Sequence, residues 1–170
     1  MRISKIILFA ILIAVTSGSG CVYYNTFFLA KKNYNRAEKK RKEALKKGET
    51  TLPSGAKTLY DTSIKKSSKV LTYYPESEYA DDALFLIGMC YFHEGEYAKA
   101  IQKFEELALS FPESPLNQQV EYYYYLARYK TGDYINAKRE LERIAREKKL
   151  KEAEEAAFIL AEFAYLSLIH

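Results

Sequence analysis

Hydrophobic residues recur at three- and four-residue intervals along most of the chain. Two such stripes follow each other closely, and they comprise Leu84, Ile87 and Tyr91, then Ala100, Phe104 and Leu107. Because this spacing places side chains on one face of an α-helix, the pattern predicts two amphipathic helices. Gly95 separates the stripes and predicts the turn between the helices. The sequence therefore predicts an all-α fold built from helical hairpins.

The same pattern returns after 37 residues. Tyr-Pro-Glu-Ser at residues 74–77 is matched by Phe-Pro-Glu-Ser at residues 111–114, and Gly95-Glu-Tyr is matched by Gly132-Asp-Tyr. Three pairs of apolar positions share this interval, namely Ala100 and Ala137, Phe104 and Leu141, and Leu107 and Ile144. A fixed period between 20 and 50 residues is typical of stacked repeats. The sequence thus predicts a helix-turn-helix solenoid of about three units.

Further helices are expected on both sides of these units. Apolar and small residues predict a helix before Pro75, and they are Ile64, Ser67, Val70 and Leu71. Its partner is expected to be a helix at residues 25–46, and residues 151–168 supply one more helix at the other end. In the turn before the third unit, Ser114 suits the N-cap and Pro115 the first helical position. We therefore expect the third unit to begin there.

The amino terminus has the order of features typical of an export signal. Arg2 and Lys5 precede an apolar run at residues 6–15, and small residues occupy positions 16–20. The apolar run has ten residues, whereas a membrane-spanning helix needs about 20. The run therefore predicts export of the chain rather than a transmembrane span.

Cys21 follows Ser19 and Gly20, and at these residues the sequence resembles a bacterial lipobox, with Gly18 where that motif usually has Leu. The resemblance implies that Cys21 is acylated and becomes the mature amino terminus. Two or three acyl chains hold a protein on a membrane stably. Val22 stands where Asp would imply inner-membrane retention, so the resemblance implies a lipid-anchored protein on the periplasmic face of the outer membrane. A secretory peptide with an incidental cysteine is the alternative.

A strongly basic segment follows the predicted anchor. Residues 31–47 contain nine cations and two acids, although the whole chain has a net charge of only +4. This segment could bind anionic headgroups, touch an acidic partner, or present a solvated helix face. The domain prediction follows from these segments: a signal peptide at residues 1–20, a lipid-anchored basic helix at 21–47, a loop at 48–56 and a repeat array at 57–170.

The repeat resembles the tetratricopeptide repeat. The residues that match its pattern are Leu84, Ile87, Gly88 and Tyr91 on the first helix, Ala100 and Phe104 on the second, and Pro112 after it. Gly88 and Ala100 are small where two helices are expected to cross, and Pro112 ends the second helix. Tyr125 occupies the position of Gly88 in the third unit, which therefore departs from the pattern.

Residues that could carry chemistry are few. Cys90 and His93 are three residues apart, but Cys90 lies in an apolar stretch without a cation, which favours an inert buried thiol. Two cysteines and two histidines do not make a zinc site of the usual kind, and there is no glycine-rich phosphate loop. The modest charge argues against nucleic-acid binding. We expect no enzyme activity, no metal, no cofactor and no small-molecule substrate.

A protein-binding groove is the remaining candidate site. Large side chains lie between the packing stripes of two consecutive first helices, at the spacing i, i+4, i+7, and they are Phe85, Met89 and Phe92, then Tyr122, Leu126 and Tyr129. In a tetratricopeptide array this face lines the concave groove. Aromatic and Met side chains there offer a peptide a large contact area. The alternative is that the amino-terminal helix or the last helix fills the groove.

A tetratricopeptide array behind a lipobox resembles the BamD/YfiO-like lipoproteins of the β-barrel assembly machinery. The resemblance implies a protein-interaction scaffold that helps insert outer-membrane proteins and contacts other envelope proteins, the barrel subunit among them. Two other functions stay open. One is a periplasmic scaffold of the Tol-Pal and cell-division type, and the other is a lipoprotein that binds wall fragments or carbohydrate through its tyrosines.

Overall fold

The fold is all-α, as the sequence predicts. A computed structural model describes the backbone of residues 2–146 and the side chains of residues 24–146. Six helices occupy this part of the chain, namely α1 (Arg2–Lys46), α2 (Ser54–Tyr73), α3 (Ala80–His93), α4 (Tyr97–Ser110), α5 (Asn117–Lys130) and α6 (Tyr134–Arg146). They form helix-turn-helix units of the tetratricopeptide type. The helix predicted at residues 151–168 lies outside the described residues.

The contacts divide the chain into two compact units, Met1–Ala83 and Leu84–His170, so that the boundary falls within α3. In the first unit α1 packs along α2, which confirms the pairing expected for these segments. Both helices bury a stripe with alternating steps of three and four residues. The stripes are Phe27, Ala30, Tyr34, Ala37, Arg41 and Ala44 on α1, and Ala56, Tyr60, Ser63, Ser67 and Val70 on α2, and all of these are buried except Tyr34 and Arg41, which are half-buried. This spacing is that of a coiled coil.

Small residues let these two helices approach closely. Ala30, Ala37 and Ser63 are fully buried, and the Ser63 hydroxyl donates a hydrogen bond of 2.9 Å to the carbonyl oxygen of Ala30. The Tyr60 hydroxyl donates to the carboxylate of Glu38 on the facing helix. Together these contacts fix α1 and α2 in an antiparallel register.

One helix boundary at the first hairpin differs from the prediction. α1 spans Arg2–Lys46 and therefore includes the helix expected at residues 25–46. α2 begins at Ser54, inside the segment 48–56 that was expected to be a loop. It begins there because the carbonyl oxygen of Pro53 accepts the amides of Ala56 and Lys57, at 2.8 and 3.1 Å.

The start of the third unit also differs from the prediction. α5 begins at Asn117, and not at Pro115. Ser114 still supports the turn before it, because its hydroxyl accepts the amide of Leu116 at 3.2 Å and its carbonyl accepts the amide of Asn117 at 3.2 Å. The Asn117 side chain donates to the carbonyl of Pro112 at 2.8 Å. Ser114 thus accepts backbone amides as a capping residue would, but it lies three residues before the start of the helix at Asn117.

The turn inside each hairpin is built in the same way. Gly48, Gly95 and Gly132 all have a positive φ, of 79°, 79° and 102°. In each turn the residue after the glycine donates its amide to a carbonyl five residues earlier: Glu49 to Ala44, Glu96 to Tyr91 and Asp133 to Arg128, at 2.9–3.1 Å. This is the Schellman arrangement, in which glycine adopts the left-handed conformation that ends a helix.

The turns between hairpins confirm the period of 37 residues. The amides of Tyr74 and Phe111 donate to carbonyls four residues earlier, each at 2.8 Å. The amides of Ser77 and Ser114 then donate back to the carbonyls of those two residues, each at 3.0 Å. The Tyr/Phe-Pro-Glu-Ser motif therefore forms one repeated turn.

In the second unit α4 packs on α5, and α5 packs on α6. The repeated apolar stripes of α4 and α6 are fully buried or nearly so, and they comprise Ala100, Phe104, Leu107, Ala137, Leu141 and Ile144. Gly88 lies directly against the ring of Phe104, which confirms that a small residue is needed at this crossing. In the third unit the larger side chain is on the first helix instead of the second, because Tyr125 stands in place of Gly88 and Leu141 in place of Phe104.

Candidate partner-binding surface

An aromatic cluster centred on Tyr123 occupies the region where the groove was predicted. The Tyr123 ring lies 5.4 Å from Phe92, 6.4 Å from Phe85 and 6.4 Å from Phe104, measured between ring centroids. Phe92 also contacts Tyr97, at 5.4 Å. The Phe104–Tyr123 pair is stacked and the other pairs are edge to face, and both arrangements stabilise a cluster beyond the burial of its surface. The cluster links three helices of the second unit, α3, α4 and α5.

Tyr122 and Leu126 lie on a different side of α5. They form a buried core cluster with Leu141 and Ile144 of α6. Tyr122 is fully buried, and Leu126 is 6% exposed. These two residues therefore hold α6 against α5, and their side chains are not available to a partner.

The six predicted groove residues therefore do not form one open surface. Met89 is also buried, so that Met89, Tyr122 and Leu126 belong to the packing of the molecule. This part of the prediction is corrected by the structure. Phe85, Phe92 and Tyr129 are half-buried and keep part of their rings accessible. A role of these three residues in binding a partner stays a prediction.

Beside Tyr129 lies an exposed apolar patch that the predicted groove does not include. The Tyr129 ring packs against Tyr134 at 4.8 Å, edge to face, and Tyr134 is 57% exposed. The next residue, Ile135, is 84% exposed. Exposed large apolar residues that lie together are typical of protein contact sites. Tyr134 and Ile135 follow the glycine turn directly, at the first exposed positions of α6, and this position in the sequence is the feature that indicates the patch.

Polar groups surround this patch. The guanidinium of Arg128 donates to the hydroxyl of Tyr124 at 2.9 Å and to a carboxylate oxygen of Asp133 at 2.5 Å. The hydrogen bond to Tyr124, followed by that to Asp133, raises the pKa of Arg128 above its ordinary value. Tyr91 occupies the corresponding position in the second unit, where Lys99 lies 5.5 Å above its ring. The third unit thus has Arg128 in place of the Tyr91 ring, and Arg128 both pairs with Asp133 across the turn and lies 5.7 Å from the centroid of the Tyr124 ring.

Groups that could carry chemistry are scarce in the described part of the chain. Cys90 is fully buried and is in no disulfide, as expected for a structural thiol. Among the side chains of residues 24–146, no three from His, Cys, Asp or Glu come together as metal ligands. A search of the described helices finds none that is long and apolar enough to cross a bilayer. The side chain of Cys21 lies outside the described residues.

An open depression lies along α1, beside the contacts that Tyr34 and Glu38 make with Tyr60 of α2. Its volume is about 560 Å³, and its lining residues are Tyr34, Asn35, Glu38, Lys39, Lys42, Glu43 and Lys46. Three lysines and two glutamates therefore line it. Glu38 is already engaged by Arg41 and Tyr60, which leaves the lysines as its main exposed charges.

The comparisons with known proteins agree with this architecture. No curated protein matches the sequence. A family of outer membrane lipoproteins, YfiO, matches residues 84–168, which is half of the chain and includes α4, α5, α6 and all of α3 except its first turn. The chain belongs to the YfiO family of outer membrane lipoproteins.

Proposed function

We propose that this protein is a lipid-anchored scaffold that binds envelope proteins during the assembly of outer-membrane proteins. The observation that carries the proposal is the match of the YfiO family to the second unit, whose turns and buried stripes repeat every 37 residues. Tetratricopeptide arrays present extended surfaces to other proteins. The described residues bring no metal-ligand cluster to this surface, and the proposed role needs none.

Cys21 is proposed as the anchor. Acylation there would attach the chain to the outer membrane with its helical hairpins on the periplasmic face. The match to outer membrane lipoproteins supports this position, and so does the small-residue segment before the cysteine. The ten apolar residues at 6–15 are too few to span a bilayer by themselves.

The proposed contact surface combines predicted and newly found residues. Phe85, Phe92 and Tyr129 are half-buried aromatic residues, and Tyr134 and Ile135 are exposed beside Tyr129. Rigid aromatic side chains bury a large area at low entropic cost, and they are frequent among the residues that dominate binding. A segment of an envelope protein is the occupant that fits this surface.

Affinity purification of the tagged chain from detergent-solubilised membranes tests the proposed function. Recovery of a β-barrel assembly subunit, and its loss when Tyr134→Ala and Ile135→Ala are combined, is the expected result. A matched control is Leu109→Ala, because Leu109 is 83% exposed on α4, outside the proposed surface. Recovery of Tol-Pal proteins would favour the cell-division alternative. Specific retention of wall fragments without a protein partner would favour the carbohydrate-binding alternative.

A further inference from the structure

The side of α1 turned away from α2 is exposed along its described length. We call it the outer face, and it includes Phe28, Lys32, Arg36, Lys39, Lys42 and Lys46, all of them exposed. The opposite side has the reverse character, since Ala30 and Ala37 are fully buried against α2. α1 is therefore amphipathic: its small residues pack against α2, and Lys32, Arg36, Lys39, Lys42 and Lys46 lie on the exposed side, whereas Arg41 lies in the packed stripe.

Charge and aromatic residues are ordered along the outer face. Tyr24 and Phe28 lie at its amino-terminal end, with 54% and 51% of their surface exposed and their rings stacked at 6.3 Å. Five cations follow on the same face, and Glu43 is its one acidic residue. Exposed aromatic rings followed by lysines are typical of helices that lie at a membrane interface.

Cys21 falls on this same face by helical register. Lys32 is 11 residues after Cys21 and Lys39 is 18 residues after it, which is close to three and five complete turns of 3.6 residues. Because α1 is continuous here, Phe28 lies about 10 Å beyond Cys21 along the axis and Lys46 about 38 Å beyond it. Position 21 of the helix is thus in register with the positions that carry these cations.

We propose that α1 lies along the lipid surface, with its outer face against anionic headgroups and with Tyr24 and Phe28 in the interfacial layer. The proposal rests on the proposed acylation of Cys21, which would hold this face next to the membrane. The lysines then give each molecule a fixed orientation, with α2 on the side away from the lipid.

One observation and one consequence of the proposed acylation favour a lipid surface over an acidic protein as the occupant. An acidic protein would match the cations, but it would not require an exposed aromatic pair between them and Cys21. Attachment at Cys21 would also keep anionic lipid permanently at high local concentration beside this face, so that even weak contacts form. A protein partner would have to compete with that lipid.

Lipid contact can be measured at single positions of the full-length, acylated chain in vesicles. Asn35→Cys places an environment-sensitive fluorophore on the outer face, and Thr58→Cys places it on an exposed position of α2. Both substitutions are made together with Cys90→Ala, because Ala127 occupies the equivalent buried position of the next unit. The vesicles contain phosphatidylethanolamine, phosphatidylglycerol and a lipid with a headgroup nitroxide that quenches the fluorophore.

The expected result is strong quenching at position 35 and little quenching at position 58. Each lysine near anionic lipid favours contact by about fivefold, so Lys32→Gln, Lys39→Gln and Lys46→Gln together should lower the contact equilibrium roughly a hundredfold. The matched control combines Lys57→Gln, Lys65→Gln and Lys69→Gln, which remove the same charge from exposed positions of α2 and should leave quenching unchanged.

Three results would overturn the proposal. Equal quenching at positions 35 and 58 in vesicle-bound protein would mean that the anchor is correct but that α1 does not lie on the lipid. If the fluorophore is not quenched in vesicles, and position 35 is protected from thiol reagents in cell membranes, then a protein and not lipid covers the outer face. Absence of the acyl chain from the purified protein would instead refute the anchor, and with it the proposed function.

Discussion

The ring of Phe104 lies against the backbone of Gly88 so closely that a Cβ atom at position 88 would be 2.5 Å from Cε1 of the ring. Phe104 is fully buried, so the ring has no solvent into which it could move. This contact holds α3 and α4 together at their crossing. The tetratricopeptide pattern at Gly88 thus has a direct steric cause.

Gly88→Leu should lower the free energy of unfolding by about 3 kcal/mol, because overpacking a helix crossing typically costs 1–3 kcal/mol or more. Glu106→Leu changes an exposed position of α4 and should change stability by less than about 0.5 kcal/mol. Thermal melts followed by circular dichroism measure both variants. Equal melting temperatures would contradict the close contact at Gly88.

Gly88→Ala tests the same contact with a smaller group. Alanine is favoured over glycine in a helix by about 1 kcal/mol, but its Cβ would require the buried Phe104 ring to shift. Combining it with Phe104→Leu should therefore cost less than the sum of the two single changes. Strict additivity of the unfolding free energies in a double-mutant cycle would show that the two sites are independent.

The buried hydroxyl of Tyr60 predicts a pH dependence. Burial, and then the hydrogen bond to Glu38, raises the pKa of Tyr60 above its ordinary value near 10. A raised pKa in the folded state means that this stabilisation is complete below about pH 10 and is lost as the pH rises further. Tyr60→Phe should be less stable at neutral pH by about 1–3 kcal/mol and should show less additional loss above pH 10. Identical alkaline unfolding of wild type and variant would contradict this.

Gly95 should not tolerate a side chain, although nothing lies near its position. Its φ of 79° lies in the left-handed region, so Gly95→Ala should cost about 1 kcal/mol through the backbone alone. Gly55 is the control, because it is helical and an added Cβ would meet only the Lys40 side chain at 3.7 Å. Gly55→Ala should be neutral or stabilising by up to about 1 kcal/mol. Chemical denaturation distinguishes the two.

Substitutions in the proposed contact surface should weaken partner binding without unfolding the protein. Phe92→Ala and Tyr129→Ala together should reduce partner recovery at least tenfold, since residues at the centre of an interface often contribute about 2 kcal/mol each. Phe92 also packs on Tyr123, so thermal stability must be measured on the same sample. If stability falls while recovery per folded molecule is unchanged, these residues belong to the fold and not to the contact surface.

The sequence predicts the helical hairpins well, because their signals are local. Gly95 and Gly132 both have a positive φ, and the hydrogen bonds that close their turns recur after 37 residues. The heptad spacing of α1 and α2 was equally present in the sequence, but among so many charges its small alanines and serines carried little hydrophobic signal. Ala30, Ala37 and Ser63 are buried because their small side chains allow the two helices to approach closely, and not because these residues are strongly hydrophobic.

The sequence predicts the candidate surface less well, for a physical reason. Residues 122–125 of α5 are four consecutive tyrosines, so apolar surface surrounds the helix and periodicity cannot tell which side faces the core. The structure turns Tyr122 toward α6 and Tyr123 toward Phe85 and Phe92. α3 is similarly apolar on most sides, which explains why Met89 was expected in a groove and is buried instead.

Acylation at Cys21 is the central claim, because both the proposed scaffold role and the orientation of α1 depend on it. Metabolic labelling with a palmitate analogue, followed by flotation of membranes, measures label and location in one sample. The wild-type chain is expected to carry the label and float with the outer membrane, whereas Cys21→Ser should lose the label and leave the membrane fraction. Equal labelling and equal flotation of the two chains would contradict the account.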